Sequence, residues 1–135
     1  MSKRSRIHAM RVWIVAGALN GFLAVAFGAF AAHGLRGRVP EADLAIFQTG
    51  AHYHLVHAVA LVAVGLAAMH LKHRGVSAAG WLFLAGIVLF SGSLYVLGFT
   101  GSRALVMITP LGGTAFLAGW LALAWAAISA KHASD

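Results

Sequence analysis

The chain has 135 residues, of which 61% are apolar and only 10% charged, with a mean hydropathy of +0.85. That leaves room for one domain and excludes a soluble fold, which carries about 25% charged residues on its surface. The net charge of +7 does not indicate nucleic acid, because the ten Lys and Arg residues lie in the breaks between apolar runs and not on one wet face. With no cysteine, disulfides, thiolate metal sites and cysteine nucleophiles are excluded too.

Each apolar run approaches the roughly 20 residues needed to cross hydrocarbon. They predict an all-α membrane protein, a single transmembrane domain over residues 1–135 built as a four-helix bundle. Its spans fall near 12–32, 51–69, 78–97 and 110–128. The first run follows Lys3, Arg4, Arg6 and Arg11. Ala29-Phe30-Ala31 resembles a signal-peptidase site, but the apolar stretch exceeds the ~7–15 residues of a signal peptide, so a retained helix is expected. Gly17 and Gly21 form a G-x-x-x-G pair beside Asn20, and His33 closes the span.

Pro40 at N1, followed by Glu41 and Asp43, marks a helix start. Leu44 and Phe47 share a face, which predicts a short interfacial helix between the first two spans. His52, His54 and His57 open the second span near the outer interface, and Tyr53 shares a helix face with His57. His70, Lys72, His73 and Arg74 end it, with anionic lipid headgroups as the expected partner. The third span carries Gly86 and Gly92 with Ser91, Ser93 and Tyr95, and Gly98 to Arg103 form the next turn. Thr109 as N-cap and Pro110 at N1 start the fourth, which Gly112, Gly113 and Gly119 fit for close packing.

Seven cations flank the N-terminus, the middle connection and the C-terminal tail (Lys3, Arg4, Arg6, Arg11, Lys72, Arg74, Lys131). Three, Arg36, Arg38 and Arg103, lie opposite. The excess predicts that both termini are cytoplasmic.

The only acids are Glu41, Asp43 and Asp135, none within a span. Ion-coupled carriers usually bury an acid near the midplane, and no serine–base pair, carboxylate pair or phosphate-cradling motif is present. No enzyme activity is therefore expected. Nor is a metal or cofactor: the histidines lack the closed four-ligand set and second-shell carboxylates such sites need.

Four stretches stand out together: Gly28-Ala-Phe-Ala-Ala-His-Gly-Leu35, Thr49 through Tyr53 to His57-Ala58, Leu89-Phe-Ser-Gly-Ser-Leu-Tyr95, and Ile108-Thr-Pro-Leu-Gly-Gly113 leading to Gly119-Trp120. In this order they resemble the YgdD-like family of small bacterial inner-membrane proteins, which has transmembrane relatives in animals. The resemblance spans nearly the whole chain and implies four inner-membrane helices. It supplies no reaction, substrate or cofactor. The family pattern usually has glycine where Ala31 stands, and commonly a non-histidine at His52 and His54, which makes those two poor candidates for a shared role.

His33, Tyr53, His57, Ser91, Ser93, Tyr95, Thr109 and Pro110 all map toward the outer half of the membrane. They are expected to converge in one polar cluster beneath the outer surface. The leading functional expectation is a non-enzymatic interaction or assembly protein, in a homo-oligomer or a larger membrane complex. The alternatives are a small oligomeric carrier or lipid-handling protein, and an accessory haem- or metal-binding subunit using His33 and His57.

Overall fold

A computed structural model describes residues 2–132, the last two by backbone alone; Asp135, counted above among the acids, lies outside the described residues. Four helices are long and apolar enough to cross a membrane: α1 (Lys3–Leu35), α2 (Glu41–His70), α3 (Arg74–Thr100) and α4 (Thr109–Ser129). Helices satisfy every backbone group internally, the condition hydrocarbon imposes on a spanning segment.

Among the described residues there is no separate interfacial helix. The chain leaves Pro40, which is the N-cap and not N1, and runs without a break as the 30 residues of α2. At 1.5 Å per residue α2 is about 45 Å long, more than the roughly 30 Å hydrocarbon core. Its acidic first turn and its last residue, His70, therefore reach headgroup level. Leu44 and Phe47, whose shared face suggested an interfacial segment, are buried against Ala31 and Leu35 of α1. The apolar face is turned onto a neighbouring helix and not onto the membrane surface.

The helix ends differ from expectation in two further places. α3 continues through Gly98, which packs against the Asp43 carbonyl and Phe47, and stops at Thr100. Gly101 then takes the left-handed conformation (φ 72°) and its N–H caps Leu97 O at 2.8 Å. Thr109 does not cap α4, whose preceding residue, Ile108, is already helical in conformation. Its hydroxyl turns to α3 instead.

α1 lies along α2, while α3 changes partner partway up. Its first half packs on α4, and its second half packs on α2. The change falls at a π-helical turn, Ile87–Ser91, where the extra residue rotates everything beyond it. A second π turn, Ala31–Leu35, closes α1. At the opposite end Leu71–Lys72 (β1) pairs antiparallel with Lys131–His132 (β2). This clip holds the α2–α3 connection against the C-terminal segment. Gly65 of α2 meets Met10 and Ile14 of α1, so the chain's start lies at the same end.

Lipid tails are as apolar as leucine, so close fit and interhelical hydrogen bonds hold such helices together. The fit is aromatic into glycine. A Cβ on Gly86 would overlap the Phe116 ring, one on Gly112 the Phe90 backbone, and one on Gly119 would come within 2.7 Å of Phe83. Between α1 and α2 a Cβ on Gly17 would stand 2.8 Å from Ala58 O. The other expected packing glycines are roomier: the nearest atom is 3.9 Å away for Gly21, 3.9 Å for Gly92 and 3.8 Å for Gly113. Gly65, Gly75, Gly80 and Gly98 are tight contacts that their spacing did not single out.

Candidate functional site

Because α2 begins at Glu41, His54 and His57 flank its midpoint and do not lie near the outer interface. They share a helix face only loosely and serve different neighbours. His54 is buried between α1 and α3. Its Nε2 faces Asn20 Oδ1 at 2.9 Å and its Nδ1 faces the Tyr95 hydroxyl at 2.8 Å. Asn20 Nδ2 donates to Ala16 O at 2.8 Å, so Oδ1 is an acceptor. The facing Nε2 must then carry the proton, and because burying a charge in the apolar interior is costly the ring is neutral, so Nδ1 accepts from the Tyr95 hydroxyl. One neutral imidazole joins three helices, with each ring nitrogen satisfied.

His57, also buried, turns to α4. Its Nδ1–H donates to Tyr53 O at 2.7 Å, and its Nε2 accepts from the Trp120 indole at 3.0 Å. An indole N–H only donates, which fixes the opposite tautomer from that of His54. The imidazole stacks on Phe116 with centroids 3.6 Å apart, and Phe116 also packs edge-on against Phe90. A third link joins α3 to α4: the Ser93 hydroxyl donates to Phe90 O at 2.9 Å and accepts from Thr109 at 2.6 Å.

The residues expected to form one cluster are thus distributed. Tyr95 belongs to the His54 link, and Ser93 with Thr109 form their own. Tyr53, His57 and Pro110 line one groove of about 490 Å³ between α2 and α4, together with Phe90, Phe116 and Trp120. His33 is exposed and makes no hydrogen bond among the described residues. Ser91 is fully buried in the π turn with its hydroxyl unpartnered. A second groove, of about 330 Å³, is almost wholly aromatic, with Phe27, Phe30, Phe47, Tyr95 and Phe99 in its wall.

His54 was set aside on the resemblance, yet it makes the link that spans three helices. Trp120 lies outside the expected outer cluster, and so does Asn20, although a polar residue within the first span is expected to hydrogen-bond between helices, as Asn20 does. A signal was present: a polar side chain in the middle of an apolar run is expensive, and it faces a partner. The partners lie 34, 41 and 63 positions away, which local spacing does not reveal.

Four apolar helices joined by internal polar links define a multi-pass integral membrane protein. The chain belongs to the DUF423 (UPF0382) family of membrane proteins: the family model described as "protein of unknown function (DUF423)" matches residues 27–113. It is 50% identical to the UPF0382 membrane protein YwdK of Bacillus subtilis over 120 residues, covering 88% of this chain and 98% of that one. It is 47% identical to a UPF0382 membrane protein of Haemophilus influenzae, with 84% and 91% covered. Against the UPF0382 membrane protein SAB0533 of Staphylococcus aureus it is 42% identical, with 84% and 93% covered. No solved structure matches it.

Proposed function

We propose that this protein acts without catalysis, as an interaction or assembly component of the bacterial inner membrane, with both termini in the cytoplasm. The YgdD-like resemblance is the finer family assignment within this reading. The observation that supports it is the contrast between interior and outside. His54, His57, Ser93 and Thr109 are turned inward and engaged by neighbouring side chains or carbonyls. Only 17% of α1's most apolar window and 22% of α4's are buried, so the outward helix faces are what remain for a partner. That partner is a second copy or another membrane subunit.

A photo-crosslinking residue at Leu19 on α1 or Leu121 on α4, both exposed, tests this in native membranes. The reading expects one recurrent protein adduct at one of the two faces. Lipid adducts alone at both would end it.

A lipid-handling role is the second reading, favoured by the groove between α2 and α4, which Tyr53 lines. Retention of a groove-bound lipid that Tyr53→Phe releases would favour it. A haem or metal role for His33 and His57 has less support, since ligation would displace a partner from a fully engaged His57 ring.

A further inference from the structure

Where α2 turns into α3, a cavity of about 420 Å³ is lined by Lys72, His73, Arg74 and Ser77. Its side chains offer donors almost exclusively. Ammonium and guanidinium groups have no acceptor atom. His73 Nδ1 already accepts the Gly75 N–H at 2.9 Å, so the ring's available group is the Nε2–H. Neither that N–H nor the Ser77 hydroxyl has a hydrogen-bond partner among the described residues. The described carboxylates, Glu41 and Asp43, lie at the far end of α2.

The backbone at Lys72 and the His73 ring are also held in place. Strand β1 pairs Lys72 with Lys131, and the His73 ring packs edge-on against Trp125 with centroids 4.4 Å apart. The cavity lies between the last residue of one spanning helix and the first of the next, the level of lipid phosphates. Trp81 and Trp125, both exposed, stand nearby as interfacial tryptophans do.

We infer that this cavity binds the phosphate of an anionic glycerophospholipid of the adjoining leaflet. Lys72 and Arg74 supply the charge, and the His73 Nε2–H and Ser77 hydroxyl fix the oxygens. The site depends on neither reading of function given above. It differs from general attraction of basic ends to anionic lipid in being confined to one cavity, and that difference can be tested.

The full chain is purified in a neutral detergent and titrated with phosphatidylglycerol or phosphatidylcholine, with bound lipid counted by native mass spectrometry. Lys72→Gln/Arg74→Gln is compared with Lys3→Gln/Arg4→Gln, which removes equal charge from the same end. Helical circular dichroism verifies the fold of each, and Ser77→Ala serves as a milder variant. One phosphatidylglycerol should bind in preference to phosphatidylcholine. The cavity pair should weaken it about tenfold or more, Ser77→Ala should weaken it less, and the N-terminal pair should leave it nearly unchanged. Equal losses from both pairs would reduce the effect to bulk charge and overturn the site. Lack of headgroup preference would overturn it too. Millimolar inorganic phosphate should compete poorly; full displacement by it would assign the cavity to free phosphate and refute the lipid.

Discussion

Trp120 donates its indole N–H to His57 Nε2 at 3.0 Å, and both residues line the groove between α2 and α4. This bond and the one from His57 Nδ1 to Tyr53 O leave the ring neutral with its proton on Nδ1. His54, one turn away, holds its proton on Nε2, because Asn20 accepts there and Tyr95 donates to the other nitrogen. Nitrogen-15 NMR of histidine-labelled protein in micelles should show two buried neutral imidazoles of opposite tautomer. Trp120→Phe should perturb only the His57 signals and Tyr95→Phe only those of His54. A shared tautomer would contradict both sets of partners.

The energy of the α2–α4 link should be modest. Interhelical hydrogen bonds in membranes average about 0.6 kcal/mol and reach about 1.7, because a separated helix also finds partners. The His57–Trp120 bond pairs one donor with one acceptor and sits near the midpoint of both helices. A double-mutant cycle of His57→Phe and Trp120→Phe, followed by detergent unfolding, should give a coupling of about 1–1.5 kcal/mol. Zero coupling would mean that stacking on Phe116, and not the hydrogen bond, holds the ring.

Glycine substitutions should divide sharply. At Gly17, Gly112 and Gly119 an added methyl has no room, and Gly112 meets backbone, which cannot rotate away. Alanine there should lower stability by about 1–3 kcal/mol, the usual cost of overpacking. At Gly21, Gly28 and Gly92 the space is open, with nothing nearer than 3.9 Å. Alanine at these positions should change stability by less than about 0.5 kcal/mol. Thermal melts of the six variants in one detergent would expose any exception.

That division also shows what the sequence could tell. Hydropathy located four spans because hydrocarbon tolerates little else, and the fourth is almost as expected: 110–128 against Thr109–Ser129. It left the first ten residues of α2 outside the span because Glu41, Asp43, Gln48 and Thr49 interrupt the apolar run while their neighbours Leu44 and Phe47 pack inward. A hydropathy run records contact with lipid and not helix length. Glycine spacing likewise marked Gly17 and Gly21 equally, although only Gly17 faces α2 closely. The partners in the polar links were illegible for the same reason: His54 and Tyr95 meet only once the turn at Ile87–Ser91 sets the rotation of α3.

Orientation can be read by labelling, since the chain has no cysteine of its own. Ser102 lies in the exposed connection between α3 and α4, and Ser77 lies at the clipped end with the basic residues. With seven cations counted at that end against three opposite, it should face the cytoplasm. A membrane-impermeant maleimide should label Ser102→Cys in intact spheroplasts, and Ser77→Cys only after permeabilisation. The reverse pattern would invert the topology while leaving the bundle as described.

The π turn makes the most demanding prediction. Val88 stands within it, 68% exposed and pointing away from the bundle. Deleting Val88 should let Ile87–Ser91 relax to α-helix, and because the wide turn holds one residue more than an α turn, the half of α3 beyond it should keep its facing. Tyr95 should stay on His54 and Ser93 on Thr109, bonds of 2.8 and 2.6 Å to two different helices. Deleting Leu89 as well leaves no wide turn to absorb the loss, and should rotate that half by about 100°. Tyr95 would then leave His54, Ser93 would leave Thr109, and Gly98 would turn from Phe47, bringing a larger side chain into a contact that admits none. The double deletion should therefore cost more than any single substitution above, with a fall in melting temperature and loss of the Tyr95-dependent His54 signal. Val88→Ala, which keeps the count, should be nearly silent. If the single deletion loses the His54 signal as the double one does, the turn is not a one-residue insertion that sets the register of α3.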